Sequence, residues 1–240
     1  MPGALVLAGS GEFTPAMTRV DEELLRHTPG APPAVAILPT ASGLEGDVPD
    51  GWIARGVAHF EALGCAAYGV RVLDRAGALD PAHAAALRRA DLIYLSGGNP
   101  GYLVATLRDS PAWESIVAAW QRGGALAGSS AGAMALGGST PVRRERRADA
   151  PATWEPALGL APAIGVLPHY DRWGRERAAP RLAGAPAGLT VLGIDEDTVV
   201  LSVGGAARVL GRGTVTVWCD GAARVYRAGE ALPREAVVLP

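Results

Sequence analysis

The sequence predicts an α/β fold, a three-layer sandwich around a doubly wound, mainly parallel sheet. Through the first half of the chain, short apolar runs alternate with segments of helical periodicity, and several of these runs end in Gly- or Ser-rich turns. Because parallel strands need crossover connections, this alternation is typical of βαβ units. The chain has 240 residues and shows neither an internal repeat nor a linker. We therefore predict one domain over residues 1–240.

The first half supplies the parallel strands and their crossover helices. Helical spacing of apolar residues and Pro or Gly stops mark the helices, and short apolar runs mark the strands. The predicted strands are Leu5–Ala8, Val35–Leu38, Ala66–Leu73, Leu92–Leu95 and a run from Ala125; the helices are Ala16–Arg26, a face of Ile53, Val57, Phe60 and Leu63, Pro81–Arg89, and a face of Trp113, Ile116, Val117 and Trp120.

The second half predicts a different arrangement. Residues 138–162 are rich in Pro and Arg without a clear period, and they are interpreted as a long loop near the site. A strand at Ala163–Leu167 and a helix near Arg175–Leu182 follow. Strands alternating with turns then predict an antiparallel extension of the sheet. These strands are Thr190–Ile194, Thr198–Val203, Ala207–Leu210, Thr214–Trp218 and Arg224–Tyr226.

Composition excludes several classes of function. Charged residues make up 19% of the chain and the net charge is −2, so there is no general electrostatic reason to bind nucleic acid or an anionic membrane. Cys65 and Cys219 lie far apart and form no metal-binding spacing. Ala4–Ala8 is interpreted as a strand rather than a signal peptide, and no apolar run could cross a bilayer. We expect a cytoplasmic protein.

The most informative segment runs from Ala125 to Leu136. It contains the pattern G-x-S-x-G at Gly128, Ser130 and Gly132, where an apolar run meets helix-forming residues. Such a sharp strand-to-helix turn raises a serine hydroxyl at the carboxyl edge of a sheet, and the crowded backbone requires glycine on either side. The amide of Ala131 would point where an oxyanion could form. The alternative is a serine that only caps the helix.

A serine nucleophile needs a base, which near neutral pH is usually histidine. Among four histidines, His169 follows a predicted strand and lies at the edge where Ser130 is expected. The other three, His27, His59 and His83, precede the nucleophile strand and are interpreted as surface residues. His169 is therefore the candidate base.

The histidine needs an acid to fix its tautomer. The strand at Val191–Ile194 ends in Asp195-Glu196-Asp197 at the same edge, although a solvated acidic turn would look alike. Competing acids are Glu145, Asp149 and Asp171. The α/β-hydrolase order of serine, acid and histidine would instead need Asp149 or Glu155, and that fold is disfavoured.

With these pieces in place, the sequence resembles the aspartyl dipeptidase (peptidase E) and cyanophycinase family of serine peptidases. These proteins look like class I glutamine amidotransferase domains with serine in place of cysteine. The resemblance covers roughly residues 90–200 and depends on the combination of motifs rather than on one of them. The motifs are Ser96-Gly97-Gly98-Asn99, Gly128-Ser129-Ser130-Ala131-Gly132-Ala133, Pro168-His169-Tyr170 and Gly193-Ile194-Asp195-Glu196.

The resemblance implies roles for individual residues. Ser130 would be the nucleophile, His169 the base and Glu196 the acid, with Asp195, Glu145 and Asp149 as alternatives for the last. The amides of Gly98 and Ala131 would form the oxyanion hole. Asn99 and Tyr170 are expected substrate contacts, and Arg175 is expected to bind the carboxylate of an N-terminal aspartate, with Arg172 or Arg177 as substitutes.

The sequence therefore predicts a serine hydrolase that cleaves short peptides, with Asp-X dipeptides as the expected substrates and no metal or organic cofactor. Gly97-Gly98-Asn99-Pro100 stands where cyanophycinases carry G-G-D-Q, which counts against cyanophycin itself. The alternatives are a cyanophycinase-like hydrolase of β-aspartyl-arginine and a non-catalytic binding domain of amidotransferase-like fold. The expected partner is a small peptide, without nucleic acid or membrane; whether the chain forms a homodimer stays open.

Overall fold

The computed structural model describes residues 1–142, 152–172, 174–235 and 237–240, with the backbone alone for residues 174–177. Within these ranges the chain alternates strands and helices up to residue 136 and is mainly β afterwards. The strands are β1 (Leu5–Ala8), β2 (Ala34–Leu38), β3 (Ala66–Gly69), β4 (Leu92–Leu95), β5 (Ala125–Ser129), β6 (Ser139–Val142), β7 (Thr153–Pro156), β8 (Ile164–Leu167), β9 (Thr190–Ile194), β10 (Thr198–Val203), β11 (Ala206–Gly211), β12 (Thr214–Cys219) and β13 (Ala222–Arg227).

Three of the described helices begin at a capping residue that is followed by proline. Asp80, Asn99 and Ser110 each accept a backbone N–H with the side chain, and a proline follows each of them as the first helical residue. This pairing satisfies a free amide and presets the helical φ angle. The helices are α1 (Thr18–Leu25), α2 (Val48–Ala62), α3 (Arg75–Leu79), α4 (Pro81–Arg89), α5 (Pro100–Leu107), α6 (Pro111–Gln121), α7 (Ala131–Leu136) and α8 (Gly174–Leu182).

The central sheet has seven strands in the order β11-β10-β1-β5-β4-β2-β3. The five strands from the first half of the chain are parallel, and β10 and β11 continue the sheet in antiparallel pairing next to β1. From β1 the chain crosses to β2 and to β3 at the far edge of the sheet. It then reverses direction and returns through β4 to β5, which lies beside β1. Ligands of open α/β sheets bind at the carboxyl ends of strands near such a reversal.

Side chains on the two faces of the central sheet enter two different cores. In β1, Leu5 and Leu7 belong to the core that includes α4 to α7, whereas Val6 and Ala8 belong to the core that includes α1 and α2. This alternation follows from the two-residue repeat of a strand. The predicted α/β fold class with a mainly parallel sheet is thereby confirmed.

The second half departs from the expected single sheet. Strands β8, β9, β12 and β13 form a separate four-stranded sheet in the order β13-β12-β9-β8, in which β8 and β9 are parallel. Only β10 and β11 extend the central sheet. The alternation of apolar residues predicts strands but does not show which strand pairs with which, and the pairing therefore had to come from the tertiary structure.

Two local expectations also change. Residues 138–162 do not form one loop, because β6 and β7 pair as an antiparallel ribbon; residues 143–151 between them lie outside the described part of the chain. The third strand ends at Gly69 rather than Leu73. Within the described residues, we find no helix with the length and apolar character needed to span a membrane.

Candidate active site

Ser130 stands at a strained turn between β5 and α7. Its backbone has φ 50° and ψ −110°, a conformation that residues with a side chain rarely adopt. The flanking glycines are sterically required, since a Cβ on Gly128 would lie 2.5 Å from the carbonyl carbon of Gly132, and one on Gly132 would lie 2.4 Å from the Leu95 oxygen. The Ser130 side chain makes no cap to α7. The geometry therefore favours a presented hydroxyl over a helix cap.

The end of β1 holds Ser130 and His169 beside each other. The Ser130 amide donates to the Ala8 carbonyl at 3.0 Å, and the His169 amide donates to the next carbonyl, that of Gly9, at 3.4 Å. His169 also has a positive φ of 51°. Two successive carbonyls at the end of β1 thus bind two residues that follow strands of different sheets.

The side chains of Ser130, His169 and Glu196 form one hydrogen-bonded chain. Ser130 Oγ lies 3.0 Å from His169 Nε2, and His169 Nδ1 lies 2.6 Å from Glu196 Oε1. Because an ionised carboxylate only accepts, Nδ1 carries the proton and Nε2 is left with a lone pair for the serine hydroxyl. The three residues predicted from sequence are brought together in the order that nucleophilic catalysis needs.

Neighbouring polar groups orient the acid. The Glu196 amide donates to Asp171 Oδ1 at 3.0 Å, and Arg172 Nε donates to Glu196 Oε1 at 2.8 Å. Asp195, the adjacent alternative, turns away from the histidine, because its Oδ2 accepts both the amide and the hydroxyl of Thr214 at 2.8 Å. Glu196 is thus the acid that contacts the imidazole, and Arg172, a candidate for substrate binding, contacts that acid.

The glycine loop after β4 lies against Ser130. A Cβ on Gly97 would lie 3.6 Å from Ser130 Cβ, and Gly98 has φ 142°, a region that favours glycine. The Asn99 amide donates to the Ala41 carbonyl at 2.7 Å, whereas the Gly98 amide has no acceptor among the described residues. An unpaired amide beside the serine is what a developing oxyanion requires.

Glu12 is a polar residue of the site that sequence reasoning missed. It follows Gly9-Ser10-Gly11, in the turn directly after β1. Its Oε2 accepts the Ser129 hydroxyl at 2.6 Å and its Oε1 accepts the Gly97 amide at 3.1 Å. A Gly-rich turn directly after a parallel strand, followed by a carboxylate, is the signal that could have found it.

A cleft of about 410 Å³ opens at Ser130. Its far wall comes from α2, where the Arg55 guanidinium carbon stacks 4.1 Å from the Trp52 ring centre. Arg55 forms no ion pair with another described residue. Six of the lining residues are Glu12, Phe13, Trp52, Arg55, Gly98 and His169. Neither Trp52 nor Arg55 was predicted, because nothing local in an amphipathic helix indicates which cleft its exposed face borders.

The expected substrate contacts lie elsewhere. Asn99 Oδ1 caps α5 by accepting the Tyr102 amide at 3.0 Å, and Asn99 borders a neighbouring cleft. Tyr170 is buried in a core beneath the site, where its hydroxyl accepts Trp218 Nε1 at 3.0 Å and its ring packs on Gly193. The structure therefore does not bring Asn99 or Tyr170 to the cleft that contains Ser130.

Four of the sequence candidates lie where their side chains are not described. Glu145 and Asp149 belong to residues 143–151. Arg175 and Arg177 are in the first turns of α8, for which the structure describes the backbone alone. Their predicted roles stay predictions.

Comparison with known proteins gives two kinds of match. A cyanophycinase of Synechococcus elongatus is 35% identical over 154 residues, which cover 60% of this chain and 46% of that protein. The chain thus spans about half the length of this curated relative. A cyanophycinase of Geminocystis herdmanii is 32% identical over 209 residues, covering 82% and 73% of the two chains.

Solved structures agree with the fold described above. The crystal structure of a peptidase from an acI-B1 Actinobacterium has a TM-score of 0.86 and 32% identity, and the match covers 97% of both chains. A Listeria monocytogenes protein described as a putative peptidase E has a TM-score of 0.61 at 19% identity, which supports the fold alone; this match covers 88% of the present chain and 98% of the other. The sequence profile of Peptidase family S51 matches residues 5–210, and the chain belongs to that family.

Proposed function

We propose that this protein is a serine peptidase that hydrolyses short peptides, with Asp-X dipeptides as its substrates, through an acyl-enzyme on Ser130. The observation that carries the proposal is the continuous chain of hydrogen bonds from Ser130 through His169 to Glu196 at the floor of a cleft. Membership of a peptidase family supports the reaction class.

The reaction balances with the described groups alone. His169 Nε2 takes the hydroxyl proton as Ser130 Oγ bonds to the scissile carbonyl carbon, and Glu196 stabilises the imidazolium through Nδ1. The amides of Gly98 and Ala131 receive the negative charge that forms on the carbonyl oxygen. Imidazolium then donates its proton to the leaving amine as the C–N bond breaks. Water, deprotonated by His169, hydrolyses the ester and regenerates the serine.

The electrostatics of the cleft support an acidic side chain in the substrate. Arg55 borders the cleft, stacks on Trp52 and is not neutralised by a described carboxylate. A guanidinium held over an indole ring keeps its N–H groups, and these match a carboxylate in two-pronged geometry. Arg175, expected from the family resemblance, is the rival for this role.

Removing the nucleophile tests the reaction. Ser130→Ala should lower hydrolysis of Asp-Leu by about 10⁴-fold or more and abolish labelling by a fluorophosphonate probe. Ser202→Ala, a matched loss of a buried hydroxyl in β10, should leave both unchanged. Undiminished turnover in the Ser130 variant would refute the nucleophile.

The preference for Asp-X dipeptides is tested by removing the positive charge of an arginine in the protein and the negative charge of the aspartate in the dipeptide. With Asp-Leu, Arg55→Gln should raise KM by about tenfold, the loss of one charge-assisted pair, while Asn-Leu shows no such change. If Arg175→Gln raises the KM for Asp-Leu instead, Arg175 is the residue that binds the aspartate carboxylate. If neither variant distinguishes Asp-Leu from Asn-Leu, the proposed aspartyl preference is wrong.

The cyanophycinase relatives favour a second candidate, hydrolysis of β-aspartyl-arginine. Comparing kcat/KM for β-Asp-Arg and α-Asp-Leu decides between the two activities. A wild-type protein that neither reacts with the fluorophosphonate nor cleaves a dipeptide library would instead support a non-catalytic binding domain.

A further inference from the structure

Glu12 joins three loops that build the candidate site. It lies in the turn after β1, contacts Ser129 at the end of β5 and contacts Gly97 in the loop after β4. The residue is 7% exposed, so its carboxylate lies almost wholly out of water. No described cation forms an ion pair with it. The carboxylate therefore depends on the two hydrogen bonds for its stabilisation.

The two hydrogen bonds to Glu12 are strong because their acceptor is a buried carboxylate. Burying a carboxylate is unfavourable unless its oxygens are hydrogen-bonded, and bonds to an ionised acceptor are about twice as strong as neutral ones. The Ser129 hydroxyl and the Gly97 amide each donate to a different oxygen. Moving either loop away would leave a carboxylate oxygen without a partner, so Glu12 resists separation of the two loops.

The hydrogen bond from the Gly97 amide to Glu12 also affects the orientation of the peptide group between Gly97 and Gly98. Gly98 supplies the free amide of the predicted oxyanion hole, and the peptide that carries this amide begins at Gly97. Both glycines lack side chains that could anchor the loop by packing. Fixing the Gly97 amide on Glu12 therefore restricts the orientation of the following N–H group relative to Ser130.

We propose that Glu12 is a positioning residue that holds the Gly97–Gly98 loop against the nucleophile turn and so preorganises the oxyanion hole. The inference rests on the proposed function in assigning Ser130 as the nucleophile. Glu12 acts through its hydrogen bonds and not as a proton-transfer group, since the site already has its base in His169.

Three variants separate these bonds. Glu12→Ala removes both. Ser129→Ala removes one. Glu12→Gln keeps both in altered form, because its oxygen can accept the Gly97 amide while its amide group donates to the Ser129 hydroxyl.

Asp91→Ala is the matched control at the opposite end of β4. Asp91 Oδ2 accepts the Ala34 amide at 2.9 Å, so this variant also removes a carboxylate that ties a loop to the backbone. It should lower thermal stability without a selective change in kcat.

The readouts are kcat and KM for Asp-Leu, the rate constant for fluorophosphonate labelling of Ser130, and hydrogen exchange of residues 96–99. In Glu12→Ala we expect kcat and the labelling rate to fall about 10- to 100-fold with KM within about threefold, since oxyanion contacts act in the transition state. Exchange at residues 96–99 should accelerate. Ser129→Ala should lose about three- to tenfold, and Glu12→Gln should stay within about threefold of wild type.

Unchanged kcat and labelling in Glu12→Ala, or equal selective losses in Asp91→Ala, would overturn the proposal. So would a Glu12→Gln variant as impaired as Glu12→Ala, because a side chain that can make both hydrogen bonds would then fail to position the loop. If Glu12→Ala does not fold, Ser129→Ala decides: wild-type rates and wild-type exchange at residues 96–99 would contradict the inference.

Failure of the proposed function looks different. If wild-type protein cleaves no peptide but Ser130 reacts with fluorophosphonate, the labelling rates and hydrogen exchange still test Glu12. If Ser130 does not react at all, the nucleophile itself is refuted and the positioning role falls with it.

Discussion

The two sheets contribute to the candidate site in different ways. The central sheet supplies Ser130 from β5, between its parallel neighbours β1 and β4, and these three strands are buried along their whole length. The second sheet supplies His169 after β8 and Glu196 after β9, and its outer strand β13 is largely exposed. Ser130 therefore follows a strand in the middle of the larger sheet, whereas His169 and Glu196 follow strands of a smaller sheet beside it.

The distance between Ser130 and His169 is set by how the two sheets pack on each other. Apolar residues of both sheets share one core, which includes Leu7 and Leu126 of the central sheet with Leu192 and Val215 of the second. The carbonyls of Ala8 and Gly9 add the hydrogen bonds that reach both residues. Close packing leaves little freedom to shift one sheet against the other, and this restricts the distance between Ser130 and His169.

Among the variants that follow, replacing His169, which follows β8 of the second sheet, should reduce activity the most. His169→Ala removes the base without touching the nucleophile turn, and we expect kcat/KM for Asp-Leu to fall about 10⁴-fold, close to the loss in Ser130→Ala. Steady-state kinetics and far-UV circular dichroism would check both the loss and the retained fold. A residual rate near wild type would mean that the two sheets do not cooperate in catalysis.

The acid is expected to matter less than the base. Glu196→Gln keeps a similar shape but no longer fixes the imidazole tautomer, and kcat should drop by about 10³-fold. Asp195→Asn is the comparison, because Asp195 binds Thr214 and not His169; its kcat should stay within about threefold. Equal losses in the two variants would contradict the assignment of Glu196.

Stability should respond most strongly where α7 packs against β4 of the central sheet. Gly132→Ala would place a Cβ 2.4 Å from the Leu95 carbonyl oxygen, and we expect a cost of about 3 kcal/mol in the free energy of unfolding. Gly51→Ala in α2 meets no atom within 4 Å and should be neutral or stabilise by up to about 1 kcal/mol. Urea unfolding of both variants measures the difference, and a tolerated Gly132→Ala would show that the turn can relax.

The smallest change in stability is expected from a substitution in the core that packs on the second sheet. Tyr170→Phe removes the acceptor for Trp218 Nε1 and should cost about 1 kcal/mol of stability, with kcat and KM unchanged. Thermal unfolding and dipeptide kinetics would check this. A raised KM would instead restore the sequence-based expectation that Tyr170 contacts substrate.

Local patterns predicted much of the candidate site. Ser130 was identified because a glycine pattern at a strand-to-helix turn has a steric cause, and His169 because it follows a strand at the expected edge. Glu196 came from the family resemblance together with its strand-end position. Glu12 and Arg55 were missed because their importance depends on neighbours 85 residues away or across a cleft, as in the bond from the Gly97 amide to Glu12.

Local sequence features are enough to predict the α/β class, the parallel strands of the first half and the turn that carries Ser130, since these follow from periodicity, capping and steric exclusion within a few residues. Tertiary packing divides the later strands between two sheets. It also decides that Glu196 rather than Asp195 contacts the histidine and that Tyr170 is buried in a core. The physical reason is that strand pairing and side-chain direction depend on which distant surfaces pack together, which alternating hydrophobicity leaves undetermined.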